Sequence, residues 1–185
     1  AYERLLEAFQ SIYLKRPSGS SYEYSNAAFS LAGLLISRVS GRTYEDYIEQ
    51  NILVPLKMKY SAANPIRFEA LQVLNGHNFD IEKGIPANAP IYSSEMLAAG
   101  SAMRSSATDL GNYLIALLNE GRFQGRQLMS PKSIKEMWSP NIAFQGLSKD
   151  DGGDGKPYHY GLGWMISDID GRTIIHHGGS TGTMS

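Results

Sequence analysis

Apolar residues recur at helical spacing in several stretches of the chain. Residues 3–14 show a short helical pattern, and from Asn26 a longer pattern continues until Gly41, a residue type that commonly ends helices. Thr43 is a predicted N-cap for the next helix, which must stop near Pro55. These two helices are expected to form a hairpin. The apolar positions that share one face of the first are Ala28, Leu31, Ala32, Leu35 and Val39.

The clearest helical pattern lies between Ser106 and Gly121. Ser106 is the predicted N-cap, Asp109 falls in the first turn, and Gly121 terminates the helix. Ser130 and Pro131 occupy N-cap and N1 positions of another short helix. The apolar stripe of the longer helix consists of Leu110, Tyr113, Leu114, Leu117 and Leu118.

The pattern changes near residue 158. "YGLGWMI" and "RTIIHH" are short β-type runs separated by the turn "SDIDG", which predicts a β-hairpin. Residues 61–92 are rich in Asn, Pro and Gly and predict a long irregular excursion. The expected class is therefore α+β, with helices and irregular segments over about 1–157 and a hairpin over about 158–185, all within one partial domain.

The composition of the chain limits the classes of partner that the protein is expected to bind. The 185 residues include 17 basic and 18 acidic ones in no long run, so nothing indicates a nucleic acid or an anionic membrane. A small molecule or a peptide is the expected partner. The longest apolar stretch, "AAFSLAGLLI", is about half of a membrane span, and no transmembrane segment is predicted. The absence of cysteine excludes disulfides and a cysteine nucleophile.

The sequence predicts neither a metal nor a cofactor. His176 and His177 are adjacent, and neighbours on a strand point to opposite faces, so they do not converge on one ion. The loop "KDDGGDGK" lacks the closing glutamate of a calcium-binding EF-hand. "GLG" is followed neither by a third glycine at the required spacing nor by a helix, so a dinucleotide site is not expected.

The stretch "YSN" holds the first candidate for chemistry. Tyr24 and Asn26 are two residues apart, so on an extended segment they lie on the same side, with Ser25 turned away. A phenol can exchange a proton with a leaving group, and a carboxamide can hold a substrate amide. The alternative is that Ser25 or Asn26 simply caps the helix that follows.

The stretch "IIHHGGSTG" holds the second candidate. His176 and Gly178 share one face of a predicted strand, and glycines there let a ligand approach the backbone, with a main-chain N–H free for an oxyanion. The alternative is a glycine-rich turn after an ordinary strand.

Four segments, in order, resemble the serine β-lactamase-like family of class C β-lactamases, DD-carboxypeptidases, D-aminopeptidases and related esterases. They are "PSGSSYEYSNAAFSLAGLLISRVSGRTYEDYIEQNILVPLKMKYSA", "AAGSAMRSSATDLGNYLIALLNEG", "YGLGW" and "HHGGSTG". The resemblance implies a helical domain packed on an antiparallel sheet. This chain would then hold most of the helical domain and an edge hairpin of the sheet.

The resemblance also implies roles at the cleft of that family. Tyr24 would shuttle a proton with the leaving group, and Asn26 would hold the substrate. His176 would begin the His-x-Gly motif, Gly178 would close it, and the Gly179 N–H would form half of the oxyanion hole. A histidine in place of the family's lysine favours a peptidase or esterase over a β-lactamase, because neutral imidazole offers no fixed charge for a carboxylate.

The family's Ser-x-x-Lys motif does not occur in this chain: no serine or threonine precedes a lysine by three residues. The expectation is an internal fragment, inactive alone, of a serine hydrolase that works through an acyl-enzyme, with N- and C-terminal parts of the same protein missing. The resemblance slightly favours a periplasmic or secreted location. The alternatives are a non-catalytic homologue used for binding or scaffolding, and a self-contained helical module.

Overall fold

The computed structural model describes residues 6–7, 9–11, 13, 15–63, 67, 76–89, 98–146 and 156–179. Residues 6, 7, 9 and 10, within the first predicted helix, are helical. The further helices include α1 (Asn26–Ser40), α2 (Tyr44–Ile48), α3 (Ala107–Leu118) and α4 (Pro131–Met137), together with the π-helical turns π1 (Glu49–Leu53) and π2 (Ala98–Ala102). The strands are β1 (Gly76–Asp80), β2 (Ile85–Ala89), β3 (Arg122–Phe123), β4 (Arg126–Gln127), β5 (Ile142–Gln145), β6 (Pro157–Tyr160), β7 (Met165–Ile169) and β8 (Arg172–His176).

Helix α1 begins and ends as its sequence predicts, but it packs through another face. Gly41 is the C-cap in the left-handed region, with φ 68°. The buried residues of the helix are Ser30, Gly33 and Leu34, whereas Val39 of the predicted stripe is 82% exposed. The reason is close packing on π2, since a Cβ at Gly33 would lie 2.5 Å from a methyl of π2. Small residues therefore form the contact.

The second predicted helix has the expected extent, but its geometry changes from α-helical to π-helical along its length. Thr43 caps α2 by accepting a hydrogen bond from the Asp46 N–H at 3.1 Å. The helix then widens into π1 before Pro55 is reached. Part of the core forms here. Its buried members are Ile48, Leu53, Leu56, Met58, Ala63, Ala116 and Phe123.

The region predicted as irregular contains a β-hairpin. Strands β1 and β2 pair antiparallel, with Gly76 opposite Ala89 and Asp80 opposite Ile85. Asp80 accepts a hydrogen bond from the Lys83 N–H in the turn, and Gly84 takes a positive φ of 64°. This turn therefore organises residues 76–89. Residues 64–66, 68–75 and 90–92 of the predicted excursion lie outside the described residues.

Helix α3 is joined to the loop after π1 by a buried carboxylate. Asp109 is 2% exposed and accepts hydrogen bonds from the Tyr60 N–H and the Ser61 hydroxyl, both at 2.7 Å. Ser61 in turn lies 2.7 Å from the Ser105 hydroxyl. Leu118 of the predicted stripe is 76% exposed, whereas Leu117 is buried. Polar contacts thus supplement apolar packing at this helix.

Strands β5 to β8 form an antiparallel meander in the order β5-β6-β7-β8. The predicted hairpin corresponds to β7 and β8, whose turn places Asp170 and Gly171 at positive φ, as tight hairpin turns require. The run "YGLGWMI" is not one strand, however. Its tyrosine ends β6, and a link with Gly163 at φ 82° precedes β7. The sheet also includes β5, which precedes the predicted strand region.

Within the described ranges, no helix is both long and apolar enough to span a bilayer. The same residues hold no cluster of three or more His, Asp or Glu side chains that could bind a metal ion.

Candidate active site

The "YSN" stretch lies where an extended segment enters α1. Ser25 is the N-cap, because its Oγ accepts a hydrogen bond from the Ala28 N–H at 3.1 Å. Tyr24 precedes the cap and remains 48% exposed. The capping role therefore falls on Ser25, and the tyrosine is left available for another one.

Asn26 is the first residue of α1 and is partly buried. Its main-chain carbonyl accepts a hydrogen bond from the Ser30 hydroxyl at 3.0 Å. Gly100 of π2 packs closely on it, since a Cβ at that glycine would lie 2.8 Å from the Asn26 carbonyl oxygen. The start of α1 is therefore held in place by π2.

The histidine that meets Tyr24 is His177. The ring centroids of Tyr24 and His177 are 6.0 Å apart, with an angle of 34° between the planes. The His177 Nε2 lies 3.1 Å from the Tyr160 hydroxyl, and Nδ1 lies 2.6 Å from the Gly178 carbonyl oxygen. The residue after β8 thus meets the segment before α1.

His176, to which the resemblance assigned the first place in the His-x-Gly motif, lies elsewhere. It is the last residue of β8, opposite Met165 of β7, and its ring meets the Tyr158 ring edge-on with centroids 6.5 Å apart. His176 faces the same side of the sheet as Tyr158 and Tyr160, whereas His177 lies beyond the end of β8, where strand alternation no longer sets the side-chain direction. The structure brings Tyr24 together with His177 and not with His176.

Gly178 and Gly179 follow His177 and are both exposed. Among the described residues, and apart from the adjacent residues of the chain, no heavy atom lies within 4 Å of the place where a Cβ would be at either glycine. Neither glycine has a positive φ, so open space rather than backbone strain distinguishes these positions. The described part of the chain therefore leaves the main chain open at these two glycines.

A row of packed aromatic rings lies next to Tyr24 and His177. Tyr22 stacks on Phe144 of β5 with centroids 4.3 Å apart, and it lies 5.1 Å from Tyr160. Phe144 also stacks on Tyr158 at 5.7 Å. This row continues the sheet to the entrance of α1. A pocket of about 200 Å³ beside it is lined by Ser21, Tyr22, Glu23, Tyr24, Ser25, Phe29, Ile142 and Tyr160.

Tyr160 is a site residue that neither the sequence pattern nor the resemblance indicates. It is 8% exposed, and burial raises its pKa to about 12, with smaller contributions from Tyr22 and Tyr24. The pKa of Tyr22 is also raised, first by its burial and then by Tyr24. Both phenols are therefore protonated at neutral pH. The run "YGLGW" contained Tyr160, but the contact with His177 depends on sheet register and could not be derived from spacing.

The chain is similar to known bacterial proteins along most of its length. A 24% identical relative, described as a putative D-alanyl-D-alanine carboxypeptidase of Escherichia coli O157:H7, aligns over 180 residues that are 88% of this chain and 38% of that protein. The N-acetylmuramyl-L-alanine amidase of Bacillus subtilis (strain 168) is 20% identical, over 99% of this chain and 45% of that protein. The chain spans less than half the length of these relatives.

Solved structures share the fold. The octameric penicillin-binding protein homologue from Pyrococcus abyssi superposes with a TM-score of 0.78 and 26% identity, over 98% of this chain and 39% of that one. The D-stereospecific amidohydrolase from Streptomyces sp. gives a TM-score of 0.71 at 22% identity, over 97% of this chain and 49% of that one. The expected α+β fold of the β-lactamase and DD-peptidase type is confirmed. Because the family model described as Beta-lactamase matches residues 1–185, the chain belongs to the Beta-lactamase family.

Proposed function

We propose that the protein containing this chain is a serine hydrolase that cleaves amide or ester bonds through an acyl-enzyme. The observation that supports this most strongly is the contact between Tyr24 and His177, at the junction of α1 and β8. The resemblance expects a tyrosine motif and a histidine–glycine motif to meet at such a junction. The curated relatives named above are an amidase and a carboxypeptidase, both of them hydrolases.

The proposed roles follow from chemistry and position. Tyr24 exchanges a proton with the leaving group, since it is a half-exposed phenol beside a histidine. Asn26 holds the substrate amide through its carboxamide. His177 replaces His176 as the first residue of the His-x-Gly motif, which Gly179 then closes. Main-chain N–H groups at Gly178 and Gly179 bind the oxyanion, a role supported by the lack of crowding at both glycines among the described residues.

The nucleophile is proposed to lie outside residues 1–185. Ser-x-x-Lys does not occur in this sequence, and a serine hydrolase needs an activated serine to form its acyl-enzyme. We expect residues 1–185 alone to be inactive by this mechanism, because the remaining groups supply at most weak residual catalysis.

The proposed substrate is an amide of a D-amino acid, or an ester of similar size. The names of the E. coli and Streptomyces proteins refer to D-alanine peptides and to D-stereospecific amide hydrolysis. A histidine next to Tyr24 agrees with this choice over a β-lactam, because a neutral imidazole provides no permanent charge for the β-lactam carboxylate.

Trapping of the acyl-enzyme tests the proposal. The intact protein is mixed with a slowly hydrolysed nitrophenyl ester, and D-alanyl peptides and a chromogenic cephalosporin are run in parallel. We expect a burst of nitrophenolate and a mass adduct on a serine outside residues 1–185. An adduct on a serine within residues 1–185 would refute the proposed position of the nucleophile. Turnover without any adduct would refute the acyl-enzyme.

A non-catalytic protein that uses the cleft for binding is the second candidate. It is favoured by one observation, the lack of Ser-x-x-Lys in these 185 residues. It predicts that the intact protein binds a D-alanyl peptide in a calorimetric titration without releasing product. Hydrolysis of that peptide in the same cell would exclude it.

A further inference from the structure

Both ring nitrogens of His177 have partners within the chain. Nδ1 lies 2.6 Å from the Gly178 carbonyl oxygen, which can only accept a hydrogen bond. The hydrogen of this contact therefore belongs to Nδ1. In the neutral ring, Nε2 then carries the lone pair, and the atom that faces it at 3.1 Å is the hydroxyl oxygen of Tyr160.

Tyr160 is well placed to donate to that lone pair. It is the last residue of β6 and 8% exposed, and its ring meets the His177 ring edge-on with centroids 6.0 Å apart. A phenol that is not ionised has one O–H to donate. In this tautomer Nε2 carries no hydrogen, so it can only accept one from the phenol. Tyr22 packs against Tyr160 at 5.1 Å and limits the movement of its ring.

We propose that Tyr160 is a positioning residue, whose hydroxyl donates to Nε2 of His177, fixes the Nδ1–H tautomer and holds the imidazole against Tyr24. This inference rests on the proposed function, because it assigns the proton transfer of that reaction to Tyr24 alone. With Nδ1 donating and Nε2 accepting, neither nitrogen of the neutral ring is free to take a proton from the substrate. The role of His177 is then to fix the surroundings of the Tyr24 phenol.

Nitrogen-15 NMR of the histidine rings tests the inference on the intact protein. With the His177 ring neutral, we expect the hydrogen on Nδ1 and an Nε2 signal typical of a hydrogen-bonded acceptor. Tyr160→Phe removes only the hydroxyl and should shift the Nε2 signal or raise the fraction of the Nε2–H tautomer. The matched control is Tyr158→Phe, two residues earlier on β6, whose ring faces His176.

Three results would overturn the proposal. The first is an Nε2–H tautomer in the unmodified protein, which needs no variant to observe. The second is an unchanged Nε2 signal in Tyr160→Phe, with a native circular dichroism spectrum as proof of folding. The third is an equal change in Tyr158→Phe.

Kinetics give a separate readout. We expect Tyr160→Phe to lower kcat about tenfold with little change in KM, because a lost hydrogen bond to a positioned group affects the transition state most. If the intact protein hydrolyses no amide or ester, the proposed function fails, while the tautomer measurement still decides the role of Tyr160. If turnover is present and the tautomer is unaffected by the variant, only the positioning role fails.

Discussion

Replacing the buried Asp109 by alanine should destabilise the protein strongly. The variant leaves the Tyr60 N–H and the Ser61 hydroxyl without the oxygen that both contact at 2.7 Å. Each buried donor left without an acceptor costs about 1–3 kcal/mol, and the Ser61 hydroxyl can still turn to Ser105. The expected loss is therefore about 3 kcal/mol in the free energy of unfolding.

The chain contains a matched control for this variant. Asp46 occupies the same position in α2 that Asp109 occupies in α3, three residues after a capping hydroxyl that accepts its main-chain N–H. Asp46 is exposed, so Asp46→Ala removes only a favourable charge at a helix N-terminus, worth about 0.3–1 kcal/mol. Asp109→Asn keeps one oxygen as acceptor and should fall between the two alanine variants.

The assay is urea unfolding of the intact protein, followed by circular dichroism, with all variants at one pH and temperature. The urea midpoint should fall least in Asp46→Ala, more in Asp109→Asn and most in Asp109→Ala. The slope of the free energy against urea concentration should change little. Equal midpoints for the two alanine variants would refute the reasoning, because burial is the main difference between the two carboxylates.

Three further predictions concern packing, the histidines and alkaline pH. Gly33→Ala should destabilise the protein by about 1–3 kcal/mol, because the added methyl group would collide with π2. Gly111→Ala, where no described atom crowds the added methyl group, should stabilise the protein by about 0.5–1 kcal/mol. Calorimetric melting should show a lower melting temperature for the first variant and a higher one for the second. His177→Ala should lower kcat of the intact protein more than His176→Ala does, and the reverse order would favour His176, the residue to which the resemblance assigns this role. Because the pKa of Tyr160 is about 12 in the folded protein and 10.0 ordinarily, the phenol of the unfolded chain ionises first. The free energy of unfolding should therefore fall as the pH rises between these two values. The urea midpoint should fall less over this range in Tyr160→Phe than in the unmodified protein.

Helix ends were predictable from sequence because their determinants are local. Ser25, Thr43, Ser106 and Ser130 each accept a main-chain N–H from three residues later. A hydroxyl before an apolar run suffices for such a cap. Gly41 terminates α1 for an equally local reason, its positive φ.

The buried faces were not predictable, because they depend on partners far away in the chain. Leu35 and Val39 are exposed in α1, while Gly33 is buried against π2. The spacing of apolar residues identifies a helix but does not say which neighbour comes close enough to require a glycine. The β1–β2 hairpin was missed because its strands lack the alternation of apolar and polar residues that marks a half-buried strand.

At the candidate site, too, the local motifs were predictable from the sequence and the contacts between distant residues were not. The resemblance singled out Tyr24 and the histidine–glycine stretch, and the structure brings these two together. Which histidine meets Tyr24 depends on where β8 ends, because His177 lies beyond the strand and strand alternation does not set the direction of its side chain. Tyr160 comes from a third strand, so only the assembled sheet shows its contact with His177.

The measurement that tests the central claim most directly is the turnover of Tyr24→Phe in the intact protein. General acid–base catalysis contributes about 10²–10⁴ in rate, so kcat should fall by a factor in this range while KM changes little. Tyr60→Phe makes the same chemical change at an exposed tyrosine outside the site and should leave kcat unaltered. A Tyr24→Phe variant that is folded and turns over at the unmodified rate would contradict the claim that this phenol transfers the proton.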